Sequence, residues 1–279
     1  MIKITADSTC DLPPAMLKNL DITPAPLYIV AGDRSFRDGV GFMPADLFRI
    51  SEEEGVTCQT AAVNIQDYQQ LFAAFSPQYE AVIHICLSLD FSVCYQNAVL
   101  AAQAFPNVHV VDSRNLSTGS GYLVLDAALM AADGVPAPDI CQTLEVSAPL
   151  IDASFVIERL DYLHKGGRCS GLEAVGARLL GIKPCIEVTD GRMNVGKKYR
   201  GRFEDCLEKY VKDRLQDTAI DGRRLFITHS MCSEQTVACV RETVSRCAGF
   251  QEVIETRAGC AISSHCGPNT LGIIFKRSK

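Results

Sequence analysis

The sequence predicts an α/β fold in two parts, on three observations. Strand-like and helix-like segments alternate through the first half of the chain, a hairpin signal stands in the second half, and the charge balance reverses between the two. Residues 1–150 carry 6 basic and 17 acidic side chains, a net of −11, whereas residues 151–279 carry 21 and 16, a net of +5. Strands alternating with helices imply a parallel sheet with both faces covered. Residues 1–150 therefore read as an N-terminal parallel-sheet, Rossmann-like α/β domain, and residues 151–279 as a C-terminal mixed α/β domain.

The elements follow in order. Ile2 to Ala6 is a short apolar strand, and Asp7-Ser8-Thr9 with Asp11-Leu12-Pro13-Pro14 forms a loop delivering a helix start, where Pro is tolerated. Ala81 to Leu87 reads as a buried strand and Ser92 to Ala104 as a helix, with Tyr95, Val99 and Ala102 at helical spacing. Val108 to Val111 is the next strand, followed by the polar loop Asp112 to Asn115 and a helix from about Thr118 to Ala132. The punctuation Asp133-Gly134-Val135-Pro136-Ala137-Pro138 precedes one more helix, and the boundary is expected near Leu150. Beyond it, Lys183 to Thr189 and Met193 to Lys198 flank Asp190-Gly191, a hairpin signal. Helix (Phe203 to Asp217), strand (Leu225 to Thr228), helix (Ser233 to Ser245), strand (Glu252 to Thr256) and a closing strand (Leu271 to Phe275) complete the chain.

Composition removes several function classes. A net charge of −6 disfavours a chain-wide nucleic-acid footprint, and the absence of Trp disfavours a base-stacking surface. Thirteen cysteines are scattered with no C-x-x-C pair, so a zinc or thioredoxin-like motif is disfavoured and free cytoplasmic thiols are expected. No apolar run approaches the ~18 residues of a membrane span, and the N-terminus has no apolar core of a secretory signal. Neither G-x-x-x-x-G-K-[ST] nor G-x-G-x-x-G occurs, which leaves nucleotide binding weakly supported.

The loops after the predicted strands are rich in Ser, Thr and Asp: Asp7-Ser8-Thr9, Ser88 through Ser92, and Asp112-Ser113 with Ser117-Thr118. Such loops lie outside the carboxyl ends of a parallel sheet, where anionic groups bind, and the same residue types serve as helix caps. Leu163-His164-Lys165-Gly166-Gly167-Arg168 reads as a tight turn with solvated charges or as an anion cradle. His265, in the loop-like Ser263-Ser264-His265-Cys266-Gly267-Pro268, is a candidate carboxylate donor; His229, in Thr228-His229-Ser230, is a secondary candidate, and His84, His109 and His164 read as structural.

These segments together resemble the DegV family of bacterial fatty-acid-binding proteins, which includes the acyl-binding subunits of fatty acid kinase. The resemblance covers about residues 2–277. It rests on Ile4 to Leu12, Val110 to Ser113 with Ser117 to Tyr122, Leu160 to Arg168, Lys183-Pro184, and His265-Cys266-Gly267-Pro268, in the family's order. It implies two α/β domains enclosing one long-chain fatty acid, with no other cofactor, whose carboxylate is held by hydroxyls and a His and phosphorylated by a separate fatty acid kinase. Matching the family's T-S-Q-P-S to Thr57-Cys58-Gln59-Thr60-Ala61 and its S-G-T-Y to Ser92-Val93-Cys94-Tyr95 makes Thr57, Ser92 and His265 the implied carboxylate binders. Cys58, Val93, Cys94, Ser113 and Ser117 are implied as further pocket residues, and Arg168, Arg200 and Arg202 as kinase-docking residues. The chain departs from the pattern at Cys58, at Val93-Cys94, and at Asn269, where Gly is usual.

The reading is thus a cytoplasmic lipid-binding protein, not itself an enzyme. Two alternatives stand beside it: a serine hydrolase using Ser92 and His265 with Asp7 or Asp112 orienting the His, though without a G-x-S-x-G elbow, and a binding module for another lipophilic carboxylate.

Overall fold

The computed structural model describes residues 1–170, 181–216 and 218–278. The chain opens with β1 (Ile2–Asp7), buried at every position but its first. A 3₁₀ turn at Ser8–Cys10 leads to α1 (Pro14–Asn19), which takes proline at its first position, where no intrahelical N–H is lost. β2 (Ile22–Ala25), β3 (Tyr28–Ala31), β4 (Arg34–Arg37), α2 (Pro44–Glu53), β5 (Cys58–Ala61) and α3 (Ile65–Phe75) follow. These six fall in a stretch where the sequence pattern suggested no element. The strands among them are four residues long, and β4 reads Arg-Ser-Phe-Arg with three of its residues exposed, so period-2 alternation has no room to show.

β6 (Ala81–Cys86), α4 (Cys94–Ala102), β7 (Val108–Asp112), α5 (Thr118–Ala132) and α6 (Ala137–Ser147) match the expected order. Helix α4 begins two residues later than predicted because Ser92 stands before it, its Oγ accepting from the Cys94 N–H at 3.2 Å. Then come β8 (Ile151–Ile157), α7 (Leu160–Gly166), β9 (Cys169–Ser170), β10 (Ile182–Thr189) and β11 (Arg192–Arg200). The chain ends with α8 (Phe203–Leu215), β12 (Ile220–Ser230), α9 (Glu234–Cys247), β13 (Glu252–Arg257), α10 (Cys260–Cys266) and β14 (Thr270–Arg277). Asp217, the predicted end of α8, lies outside the described residues.

Three sheets result. A four-stranded sheet of order β2-β1-β6-β7 is parallel throughout, as the βα alternation requires. A seven-stranded mixed sheet has the order β13-β12-β14-β8-β10-β11-β9, and a small antiparallel sheet the order β4-β3-β5. The predicted hairpin joins β10 to β11, with Asp190 and Gly191 both at positive φ (50° and 78°), the left-handed pair that suits a two-residue turn.

Helix α5 is buried almost all round and lies between the two larger sheets. One hydrophobic core accordingly runs through Ile4 and Ile83 of the first sheet, Tyr122 of α5, and Ala153, Phe226 and Ile274 of the second. Tyr122 meets Phe226 edge to face, with ring centroids 6.0 Å apart. The hairpin tip reaches back to the loop after β6, where Ser88 Oγ donates to the Gly191 carbonyl at 2.9 Å and Arg192 pairs with Asp90 at 3.1 Å.

Two expectations are corrected here. His265 lies in the last turn of helix α10, not in a loop, and His164 to Gly166 end helix α7 instead of forming a free turn. Helix α10 carries no N-capping side chain of its own; its caps come from residues more than 200 positions away, which no local start signal could reveal.

Candidate functional site

The site begins with how α10 is held. Asp11 follows β1 and accepts the Gly259 N–H on Oδ1 at 2.8 Å and the Ser117 hydroxyl on Oδ2 at 2.5 Å. Asp38 follows β4 and accepts the Cys260 N–H at 2.8 Å and the Ala261 N–H at 3.3 Å, while its other oxygen takes the Ser8 hydroxyl at 2.7 Å. Two acidic side chains from the first half of the chain thus satisfy orphan donors of a helix in the second. Burial pushes the Asp11 carboxyl up to about 8 and raises that of Asp38 as well.

At the other end of α10, His265 Nε2 lies 2.9 Å from Thr60 Oγ1 on β5. Its Nδ1 is buried without a hydrogen-bond partner among the described residues. Gly166, the last residue of α7, backs the ring so closely that a Cβ there would lie 2.3 Å from Nδ1. Gly167 then ends α7 in the left-handed conformation (φ 65°), so the two glycines of the Lys165-Gly166-Gly167-Arg168 run serve different purposes. Burial, and after it the positive charge of Arg168, lower the imidazole to about 4, which leaves it neutral at neutral pH.

Thr60, His265 and Arg168 line a cavity of about 390 Å³ together with Thr9, Ser92 and Val93. Its remaining wall is largely apolar, with Leu27, Leu87, Phe91, Leu116, Phe155, Leu163, Met193 and Ile262. The Thr9 hydroxyl is buried with no hydrogen-bond partner among the described residues. A smaller space of about 50 Å³ shares Leu116, Phe155, Ile262 and Cys266 with this cavity. On the other side, a polar chamber of about 210 Å³ shares Thr60, Arg168 and His265. Another cleft, of about 320 Å³, is built from charged residues that already pair, Arg214 with Asp152 and with Glu187.

The residues singled out in the sequence divide among these spaces. Ser92 and His265 share the large cavity, whereas Thr57 and Cys58 line the polar chamber. Val93 borders the large cavity but is 58% exposed. Ser117 lines the smallest space and spends its hydroxyl on Asp11. Cys94 and Ser113 line none of these spaces: the Cys94 sulfur lies buried against Ser92, and the Ser113 hydroxyl donates to the Asn115 carbonyl. Arg168 stands at the junction of two cavities, while Arg200 and Arg202 lie exposed around the start of α8.

Thr9 and Thr60 are the polar residues the sequence reading did not choose. Both stand within segments it quoted, but the hydroxyl that faces inward depends on the pleat of a four-residue strand. His229 borders the smaller space and not the 390 Å³ cavity, and its Nε2 lies 3.8 Å from Glu255. Asn269 has φ 52°, and Asn is among the non-glycine residues best suited to that conformation.

The hydrolase geometry is not formed. Ser92 Oγ is engaged with Cys94, and His265 Nε2 with Thr60. Asp7 binds Tyr68, Leu87 N–H and His84, and Asp112 accepts from the Leu89 and Arg114 N–H groups. Neither acid reaches His265, and Asp7 does not cap the helical turn that follows it. Asp7, His84 and Cys86 present ligand atoms within 4.8 Å of one another, but two of these are committed to the network just described. Burial drives the thiols of Cys94 and Cys266 up to about 12. No helix among the described residues is long and apolar enough to cross a membrane.

A family model described as uncharacterised protein, DegV family, matches residues 1–278. A DegV domain-containing protein of Caldanaerobacter subterraneus is 30% identical to this chain, over 99% of it and 98% of the relative. Among solved structures, a DegV family protein from Thermus thermophilus described for fatty acid binding superposes with a TM-score of 0.89 at 27% identity, covering 99% of each chain. A stearic-acid-binding protein from Eubacterium ventriosum superposes with a TM-score of 0.87 at 25% identity, again over 99% of each.

Proposed function

The chain belongs to the DegV family, and on that premise we propose that it binds a long-chain fatty acid, tail in the 390 Å³ cavity and carboxylate at the Thr60–His265 end. The observation that carries this reading is the make-up of that cavity: a wall that is mostly hydrocarbon, with Thr60, His265 and Arg168 together where it meets the polar chamber, and with the one acid among its described lining residues, Asp90, paired with Arg192. Each buried methylene contributes roughly 0.8 kcal/mol, so the tail supplies the affinity and the head group the orientation. A buried carboxylate is costly unless it accepts hydrogen bonds. If the neutral His265 carries its proton on Nε2, it donates to Thr60 Oγ1, and the Thr60 hydroxyl is then turned outward as a donor. The carboxylate selects this tautomer, since the other would aim hydroxyl lone pairs at it. Thr9, Ser92 and Arg168 complete the set, with Thr57 next to it in the polar chamber.

The protein acts in this reading as a carrier that presents the carboxylate to a separate fatty acid kinase. The carboxylate oxygen attacks the phosphorus transferred by the kinase, whose phosphate donor leaves as that P–O bond breaks, giving an acyl phosphate. Arg200 and Arg202, exposed in the basic second half, are the proposed kinase contacts, with Arg168 nearer the ligand. We further propose that residues 1–150 and 151–279 are the two lobes of one unit, and that this cysteine-rich chain, with no C-x-x-C pair, works in the cytoplasm.

Native mass spectrometry of the protein expressed in bacteria tests the reading. A co-purifying long-chain fatty acid is expected, and after delipidation Thr60→Val and His265→Ala should each weaken rebinding about tenfold, the loss of roughly one charge-assisted hydrogen bond. No bound lipid and no uptake of added fatty acid would overturn it.

A further inference from the structure

Helix α10 carries His265, and although it lies near the end of the chain it rests on the small sheet near the start. Cys260 and Ala261 share a core with Ile29 and Ala31 of β3 and with Phe42, and the Cys260 thiol donates to the Phe42 carbonyl at 3.3 Å. Across that sheet Thr60, Ile29 and Phe36 form one row, since Ile29 pairs with Thr60 on β5 and with Phe36 on β4. Asp38 stands two residues beyond Phe36, so strand alternation returns it to the same face. Its own N–H is pinned to the Leu27 carbonyl at 2.8 Å. The two edge strands of this sheet therefore grip the helix at its two ends. Beyond β4, the Asp38 carboxyl takes the Cys260 and Ala261 N–H groups; on β5, Thr60 meets His265. Five residues of helix rise about 7.5 Å and two strand spacings are about 10 Å, so this short stretch of α10 bridges the sheet from edge to edge.

The arrangement has little slack. A Cβ at Gly259 would lie 3.2 Å from Asp38 Oδ1, so the carboxyl is packed against the start of the helix. At the far end Gly166 backs the His265 ring, where a Cβ would come within 2.3 Å of Nδ1, so the ring has no room to retreat toward α7. Hydrogen-bond distances vary by only a few tenths of an ångström, and a helix displaced by about 1 Å at its start loses the contact at its end. We propose that Asp38 is a positioning residue for the head group: through α10 it sets His265 against Thr60, by the reach of its side chain and not by its charge. The inference rests on the fatty-acid reading and deepens it, because Asp38 lines neither the 390 Å³ cavity nor the polar chamber.

The test uses delipidated full-length protein titrated with palmitic acid and with methyl palmitate. The variants are Asp38→Asn, Asp38→Glu and Asp38→Ala. Asn keeps the length and the accepting oxygen, and its amide donates to the Ser8 hydroxyl that now donates to Asp38. Glu keeps the carboxyl but adds a methylene, and Ala removes the grip. Palmitic acid is expected to bind Asp38→Asn within threefold of wild type, and Asp38→Glu and Asp38→Ala about tenfold more weakly, the loss of one head-group hydrogen bond. Methyl palmitate should change less than threefold throughout. The carboxyl carbon resonance of bound, carboxyl-labelled palmitic acid should match wild type in Asp38→Asn alone. If Asp38→Glu does not fold, Asp38→Ala against Asp38→Asn carries the same comparison. Wild-type affinity in Asp38→Glu with a tenfold loss in Asp38→Asn would make charge the operative property and overturn the proposal. Equal losses for acid and ester would make Asp38 a structural residue only, which overturns the proposal and leaves fatty acid binding standing. Wild-type protein that binds neither ligand would overturn both.

Discussion

His84 and His265 are two imidazoles withdrawn from solvent in different ways. His84 lies in the parallel sheet, fully buried, with Nδ1 2.9 Å from Thr5 Oγ1 and Nε2 3.3 Å from Asp7 Oδ1. The rings of Tyr68 and Phe72 meet it edge-on at 5.0 and 5.6 Å. Asp7 in turn takes the Tyr68 hydroxyl at 2.5 Å and the Leu87 N–H at 3.0 Å, so this network is closed. Among the described residues His265 has one hydrogen-bond partner and an unpartnered Nδ1, and the Thr9 hydroxyl, on another residue lining the same cavity, is unpartnered too. A closed network fixes structure, and an open one leaves hydrogen bonds for something else to make. Residue type alone does not separate the two, since both are His with Cys and Ser close by in sequence.

The largest effect that could break this contrast is on stability. Asp7→Ala strands the Tyr68 hydroxyl, the Leu87 N–H and His84 in a dry interior, so urea unfolding is expected to show a loss of about 3–5 kcal/mol. His265→Ala, which frees only Thr60, should cost about 1 kcal/mol or less. If the two losses came out equal, the division into a structural and a ligand-binding His would fail.

The second test isolates position from chemistry. Gly166→Ala keeps every polar group of the site but places a methyl where His265 Nδ1 now rests. The ring must swing away from Thr60, and carboxylate binding is expected to weaken about tenfold, the value of a head-group hydrogen bond. Binding of the corresponding methyl ester, which gains little from the head-group donors, should change less than threefold. Alanine within α7 is otherwise favoured over glycine by about 1 kcal/mol, so a general loss of folding is not expected to mask the result. Equal weakening of acid and ester would mean that Gly166 shapes the cavity and does not place the His.

Much of the fold was legible because parallel strands and buried helices leave long apolar runs: β6, α5 and the β10–β11 hairpin stand where the pattern puts them. The small sheet of β3, β4 and β5 left no such trace, and it is the sheet that supplies Thr60. The site was legible in part for the same reason. His265 and Ser92 sit in segments with distinctive composition and reach the cavity, but whether Thr57 or Thr60 faces it is decided by strand register, and composition is blind to register. Asp11 reads as part of the loop before a helix, and Asp38 draws no reading at all. Their partners lie more than 200 residues away, so their task of holding α10 is visible only in three dimensions.

The smallest expected effect concerns pH. An exposed His near 6.5 would gain charge on acidification from pH 8 to 6, and a charged imidazole would hold a carboxylate more tightly. Burial and Arg168 keep His265 near 4, so it stays neutral across that interval, and fatty acid affinity should change less than twofold. Asp11, held near 8 by burial, does titrate there. It lies at the opposite end of α10 from the head group and takes up its proton alike in free and loaded protein, which cancels its contribution to binding. Calorimetry in buffers of different ionisation enthalpy checks this directly, the expected proton uptake at pH 6.5 being close to zero. Uptake of about one proton, lost in His265→Gln, would show that the carboxylate raises the imidazole by more than two units on binding. The head group would then be held by an ion pair, and the neutral relay from His265 through Thr60 would be wrong.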